Sequence, residues 1–112
     1  MSRKKKFNEG HFQTMLQLLL TVLGFEPSTE EVLANGRIDM QIRLGKLTII
    51  FEFKYTKGDK SQARKALQQI KDNDYASKYK LVSSEIIGVG VSFSEGKKNI
   101  NGHIVETLFV AQ

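Results

Sequence analysis

Apolar positions change their spacing along the chain, and each change marks an element. From Asn8 to Leu23, the residues Phe12, Met15, Leu16, Leu19, Leu20, Val22 and Leu23 recur with a period of about 3.6 residues. That spacing predicts a helix with Asn8 as N-cap and Gly24 as its stop. "EPSTE" is a connection holding the only proline, Pro27, and "TEEVLA" is a short strand ending at the turn signal Asn35-Gly36. Strands over 37–44 and 47–55 follow, on either side of Gly45-Lys46. Beyond the loop "TKGDKSQ", Ser61 can cap a helix with an inner face of Ala63, Ala66, Leu67 and Ile70, and residues 74–80 add a further turn. In the buried strand "EIIGVGVSFS", Ile87, Val89, Val91 and Phe93 line one side while Gly88 and Gly90 leave room on the other. "EGKKNING" turns the chain, and "HIVETLFVA" is a final strand and a candidate sheet edge.

This order predicts one α/β or α+β domain over 8–112, preceded by a disordered basic arm over 1–7. The helix after Ser61 should cross over between the Phe51 and Ile87 strands, making them parallel through a right-handed connection.

The 37–44 and 47–55 strands carry the most information. A glycine-first two-residue loop at Gly45-Lys46 suits a type II′ hairpin, in which opposed residue numbers sum to 91. Leu44 then faces Leu47. Ile42/Ile49, Met40/Phe51 and Ile38/Phe53 form a wholly apolar face, the main thing that sets register. The other face carries Arg43/Thr48, Gln41/Ile50, Asp39/Glu52 and Arg37/Lys54. Asp39 and Glu52 are thus directly opposed, with Cβ atoms ~5 Å apart, and like charges so placed destabilise a sheet.

Two readings of that face stand. In one it is solvated, and the diagonal pairs Arg37–Glu52 and Asp39–Lys54 relieve the repulsion. Ile50 on the same face counts against this. In the other, two hard carboxylate oxygens converge on a divalent cation that offsets their repulsion and polarises a phosphodiester. Lys54, two residues from Glu52 and on the same face, could orient a water, help deprotonate it or stabilise charge on phosphorus.

Composition narrows the chemistry. The chain has 112 residues, 40% hydrophobic and 26% charged, and its longest apolar run is far short of the ~18 needed to span a membrane. "MLQLLLTVLGF" carries no cleavage pattern, so it is not read as a signal peptide. There are no cysteines, which excludes disulfides, thiolate nucleophiles and Cys-based zinc sites and suits a cytoplasmic location. His11 and His103 show no metal-ligand spacing. The net charge of +5, part of it in "RKKK", suits a polyanionic partner or simply a solvated tail and helix faces.

Asp39, a gap, and Glu52-Phe53-Lys54 at the end of an apolar strand resemble the PD-(D/E)XK nuclease superfamily. "GRIDMQI", "IIFEFK", "ARKALQQIKDNDYASKY" and "IIGVGVSF" look like the nuclease-like domain at the C-terminus of certain bacterial AAA-ATPase-like proteins, over roughly residues 8–100. The resemblance implies a restriction-endonuclease-like core, a central mixed sheet of about 4–5 strands flanked by helices in the order αβββαββ. It implies Asp39, Glu52 and the Phe53 backbone carbonyl as ligands of Mg²⁺, with Mn²⁺ as a substitute, and Glu9 as a further ligand in some members. Lys54 would be the catalytic lysine and Gln69 a helix glutamine near the active site. Arg37, Tyr75, Lys57, Lys60 and Arg64 would face nucleic acid.

Several of these have a plainer explanation. Glu9 is favoured near a helix N-terminus by the macrodipole alone. Gln69 borders an apolar stripe, Tyr75 suits a core, and Arg37 could pair with the carboxylate diagonal to it. Ile38 replaces the proline of the "PD" name, and no Gly-x-x-x-x-Gly-Lys-Ser/Thr loop is present. The Met1 start and basic arm suggest a stand-alone relative, an excised domain being the other case. The implied function is Mg²⁺-dependent endonucleolytic cleavage of DNA, with RNA open as a substrate and a homodimer as one route to cutting both strands. The alternative is a catalytically inactive nuclease-fold module that binds nucleic acid or a protein partner.

Overall fold

The computed structural model describes the backbone of residues 16–18, 20–25, 28–33, 36–94, 96 and 99–112, and the side chains of these outside 28–33, 36–39 and 99. Residues 16–18 and 20–22 are helical (α1). Strands β1 (Ser28–Leu33), β2 (Gly36–Leu44) and β3 (Leu47–Thr56) follow, then helix α2 (Ala63–Asp72), a 3₁₀ turn over Tyr75–Tyr79, β4 (Glu85–Ser94) and β5 (Asn99–Val110). The strands form one sheet in the order β1-β2-β3-β4-β5. It is mixed: β3 and β4 are parallel through the α2 crossover, and the other pairs are antiparallel. The element order is the expected αβββαββ. Among the described residues no helix is long and apolar enough to cross a membrane.

Gly24 ends α1 as expected, and the reason is visible. At φ +99° it takes a left-handed conformation. Its N–H donates to Thr21 O at 3.0 Å while the Phe25 N–H donates to Leu20 O at 2.9 Å, the Schellman pattern that satisfies the last carbonyls of a helix. Asn8, the expected N-cap, lies outside the described residues.

The β2–β3 hairpin keeps the sum of 91: Leu44↔Leu47, Arg43↔Thr48, Ile42↔Ile49, Gln41↔Ile50 and Met40↔Phe51. Gly45 has φ +61° and Lys46 is not among the residues with positive φ, which is the type II′ signature.

Both faces of the sheet are covered, because a parallel crossover lays a helix over strands that are themselves central. On one face Met40, Phe53, Val91 and Phe93 form a buried cluster against which Leu16 and Leu20 of α1 pack. On the other, Ile50 and Ile86 pack with Leu67 and Ile70 of α2 and with Tyr75, Ala76 and Tyr79. The buried face of α2 is Ala63, Ala66, Leu67 and Ile70, as the spacing predicts. The strand face carrying Ile50, Glu52 and Lys54 therefore lies under a helix and is not a solvated hairpin surface.

Three expectations are corrected. The N-cap of α2 is Gln62, not Ser61. The Ser61 hydroxyl still accepts the Ala63 N–H at 3.2 Å, a local turn that does part of the capping from one residue earlier. The last strand begins at Asn99, inside the stretch read as a turn, with Phe93↔Ile100 and Ser92↔Gly102 paired. Tyr75, expected at a nucleic-acid surface, is 1% exposed within the core. Its ring closes the apolar stripe of α2, and its hydroxyl accepts from Asn73 Nδ2 at 3.1 Å.

At Gly90 the backbone of α2 occupies the space a strand side chain would need. A Cβ there would stand 2.6 Å from Leu67 N and 3.1 Å from Leu67 Cβ, against helix backbone that cannot swing away. Gly90→Ala should therefore push α2 off the sheet and lower the unfolding free energy by at least about 2 kcal/mol in urea titrations. A second expectation concerns pH. Burial pushes the Tyr79 phenol above its usual 10.0, with the charge of Arg43 drawing it partly back. The folded state holds that proton more tightly than the unfolded state, so this contribution is complete below the unfolded pKa and is lost as pH rises through the folded one. Tyr79→Phe should flatten the fall in urea midpoint on the alkaline side of pH ~10.

Candidate active site

Alternation along β3 puts Ile50, Glu52 and Lys54 on the face covered by α2. In the β3–β4 register Ile50 stands beside Gly88, Glu52 beside Gly90 and Lys54 beside Ser92. No β4 side chain rises next to Glu52, and α2 descends into that space. Gln69, one residue before the buried Ile70, is carried to the flank of the helix that overlooks β3.

One amide then joins two charged groups. Gln69 Nε2 donates to Glu52 Oε2 at 2.7 Å, and Lys54 Nζ donates to Gln69 Oε1 at 2.7 Å. The amide has a donor end and an acceptor end, and it is oriented with the donor to the carboxylate and the acceptor to the ammonium. Glu52 is 5% exposed; Gln69 and Lys54 are half-buried. Lys54 and Gln69 form part of the wall of an open cleft along α2, lined also by Gln62, Lys65, Gln68 and Asp72. The structure thus brings Glu52, Lys54 and Gln69 together. Lys54 meets Gln69, while the diagonal Asp39–Lys54 pairing considered from sequence involves a side chain outside the described set.

Asp39 and Arg37 lie in β2, with Arg37 paired to Val32 of β1, but their side chains are outside the described set. Glu9 is outside the described residues altogether. Phe53 is buried on the α1 face, so only its backbone belongs with the site. Among the described residues no three His, Cys, Asp or Glu side chains cluster. Lys57, Lys60 and Arg64 are exposed, the first two on the loop between β3 and α2.

That loop has anchors that sequence reasoning missed. Ser92 Oγ accepts the Gln62 N–H at 2.8 Å. Ser94 Oγ donates to Gly58 O at 2.8 Å, and Asn101 Nδ2 donates to Asp59 O at 3.0 Å. Ser92 and Ser94 are fully buried. A signal existed: Gly88, Gly90, Ser92 and Ser94 are small residues at period two, marking the strand face where another backbone comes close.

A family model described as the PD-(D/E)XK nuclease superfamily matches residues 7–103. An Azotobacter chroococcum mcd 1 protein, described as an uncharacterized protein in the vnfD 5′ region, is 34% identical over 100 residues. That alignment takes in 89% of this chain and 19% of the relative, so the chain spans about a fifth of the relative's length. No solved structure matches.

Gln69→Ala removes a donor from a buried carboxylate and an acceptor from Lys54. Hydrogen bonds to charged groups contribute about 1.5–3 kcal/mol, so the substitution should lower stability by about that much. Loss of an exposed glutamine on a good helix former would leave the urea midpoint unchanged, and that result would deny the relay.

Proposed function

Because this chain belongs to the PD-(D/E)XK nuclease superfamily, we propose that it is a divalent-metal-dependent nuclease that hydrolyses phosphodiester bonds in DNA. The observation that carries the reading is the Glu52–Gln69–Lys54 relay, a buried carboxylate and a cleft-facing lysine held by one helix amide.

The donor set suits Mg²⁺, with Mn²⁺ as a substitute: hard oxygens from Asp39, Glu52 and the Phe53 backbone carbonyl, with Glu9 as a further candidate. The observed pairing reaches Met40↔Phe51; the register expected from the sequence would set Asp39 against Glu52 next, an arrangement in which a cation offsets their repulsion. When bound there, the cation would supply charge neutralisation at the phosphodiester and acidify a bound water.

The chain's own groups do the rest. Gln69 fixes the rotamer of Glu52 by donating to Oε2 and draws Lys54 Nζ to the cleft side of β3. Lys54 keeps two further N–H donors, which can orient the attacking water and stabilise charge developing on the phosphoryl oxygens. Lys57, Lys60 and Arg64 stand ready for backbone phosphates, whose contacts position a substrate without reading it. One site cuts one strand, and β5 is the edge along which a second copy could pair across a two-fold axis.

Purified protein with supercoiled plasmid, linear and single-stranded DNA, and RNA, in Mg²⁺ or Mn²⁺, tests this directly. Cleavage should vanish on chelation. Lys54→Ala should reduce its rate by roughly 10²–10³, and Glu52→Gln by at least as much. Gln69→Ala, which acts through the other two, should cost about 10–100-fold. Metal-dependent cleavage surviving both Glu52→Gln and Lys54→Ala would sink the assignment. Nucleic-acid binding by the unmutated protein without any cleavage would favour the inactive-module reading.

A further inference from the structure

Apolar side chains exposed singly are ordinary on a protein surface, but a cluster of them calls for an explanation. One end of the sheet holds such a cluster. Where β3 and β4 begin, three main-chain bonds gather the chain. The Ser84 and Glu85 N–H groups donate to Lys46 O at 2.7 and 3.2 Å, and the Ala111 N–H donates to Ser84 O at 2.9 Å. Leu44, Leu81, Val82 and Val110 each stand within three residues of that knot, so at most ~10 Å of chain separates any of them from it. All four are exposed, Leu81 at 97% and the other three at 40–54%.

The backbone that presents them is held in place. The pairs Leu44↔Leu47, Leu47↔Glu85 and Glu85↔Val110 form one row across the sheet, which puts Leu44 and Val110 on the same face at its end. Next to Leu47 and Val82 respectively, the Thr48 and Ser83 hydroxyls are buried and bonded to each other at 2.6 Å. The charges around the cluster are mostly of one sign. Arg43 precedes Leu44, Lys46 lies in the turn and Lys80 precedes Leu81, and all three are exposed. The charge of Arg43 reaches the Tyr79 phenol, and Lys80 Nζ lies 5.4 Å from the centre of the Phe109 ring, so both cations border this end. Against them stands the half-buried Glu85.

We propose that this end of the sheet docks a segment of another protein that carries apolar and acidic side chains together. Leucine and valine supply the buried surface, and the cations supply the complementary charge that steers and orients such a partner. A second copy of this chain would set cation against cation. A nucleic acid would meet the cations and leave Leu81 and its neighbours without an apolar partner. A bilayer takes up apolar groups that reach ~5–10 Å into its headgroup region, and of the four only Leu81 is fully clear of the surface. A protein segment can follow the contour of the other three. Lys54 lies seven residues beyond Leu47 on β3, ~23 Å at the rise of a strand. A partner docked here leaves the Glu52–Gln69–Lys54 site open. The inference does not rest on the nuclease reading.

Selection of a random-peptide display library on the purified protein, with the Leu81→Ser/Val82→Ser double variant as counter-target, tests this. The recovered sequences should combine Leu, Ile or Phe with Asp or Glu. In fluorescence anisotropy the recovered peptide should bind Leu81→Ser at least roughly tenfold more weakly, the effect of taking one leucine out of the contact. Lys46→Glu should weaken it as well and reduce the salt dependence of binding. Leu81 is solvated, so Leu81→Ser should leave the urea midpoint unchanged, which separates lost docking from lost folding. Recovery of basic or wholly polar sequences, no enrichment over the counter-target, or affinity indifferent to Leu81 would overturn the proposal. Binding to phosphatidylserine vesicles, or dimerisation in sedimentation, that disappears with Leu81→Ser would overturn it too, assigning this end to a membrane or to a second copy. Failure here leaves the nuclease reading as it stands, and absence of cleavage leaves this one.

Discussion

The seat of α2 on Gly90 is the constraint from which the site follows. A helix backbone can approach a strand this closely only where no Cβ intervenes, and the Leu67 N–H region of α2 occupies the place a Gly90 side chain would need. Glu52 is the β3 neighbour of that glycine. The same absence of a side chain that lets the helix down also opens the lateral space into which Gln69 reaches. Two residues further along β4, Ser92 holds the Gln62 N–H and so sets where the helix starts. Depth and position of α2 along the sheet are thus fixed by consecutive residues of one face of β4. The helix, in turn, delivers the amide that organises Glu52 and Lys54.

Glu52 illustrates how such a site is kept at some cost to the fold. A carboxylate 5% exposed is an expensive group in a sheet whose adjacent residue on the same face, Ile50, is part of the core. The Gln69 donor recovers part of that cost, and Lys54 places a positive charge on the far side of the same amide. An apolar residue at position 52 could not accept the Gln69 donor, so the helix amide and the strand carboxylate are matched to each other.

Much of this could be read from the chain because the signals were local. Period-two alternation with one apolar face and a glycine-first turn determines the β2–β3 register, and no tertiary information is needed to write the pairs. Gly24 and the stripe of α2 are legible for the same reason. Tyr75 is ambiguous in the sequence because its residue type suits either a core or a stacking surface, and only the packing of the 3₁₀ turn against α2 decides for the core. The Ser61 cap was displaced by one residue because Ser92, distant in sequence, took the Gln62 N–H. The Gln69 contacts depend on how deep the helix sits, which no spacing within α2 reveals; family resemblance pointed to the residue, and the period-two small residues of β4 hold the physical explanation.

The loop between β3 and α2 is tied down through its backbone. Gly58 and Asp59 offer their carbonyls to Ser94 and Asn101, while the side chains of Lys57 and Lys60 take no part in that attachment and point to solvent. Shape and charge on this segment are therefore separable traits. Lineages can trade these lysines for neutral or acidic residues, or add more, without disturbing the path of the chain. The surface charge of this segment is thus a quantity that substitutions can adjust alone, leaving the buried contacts of β3 and α2 untouched.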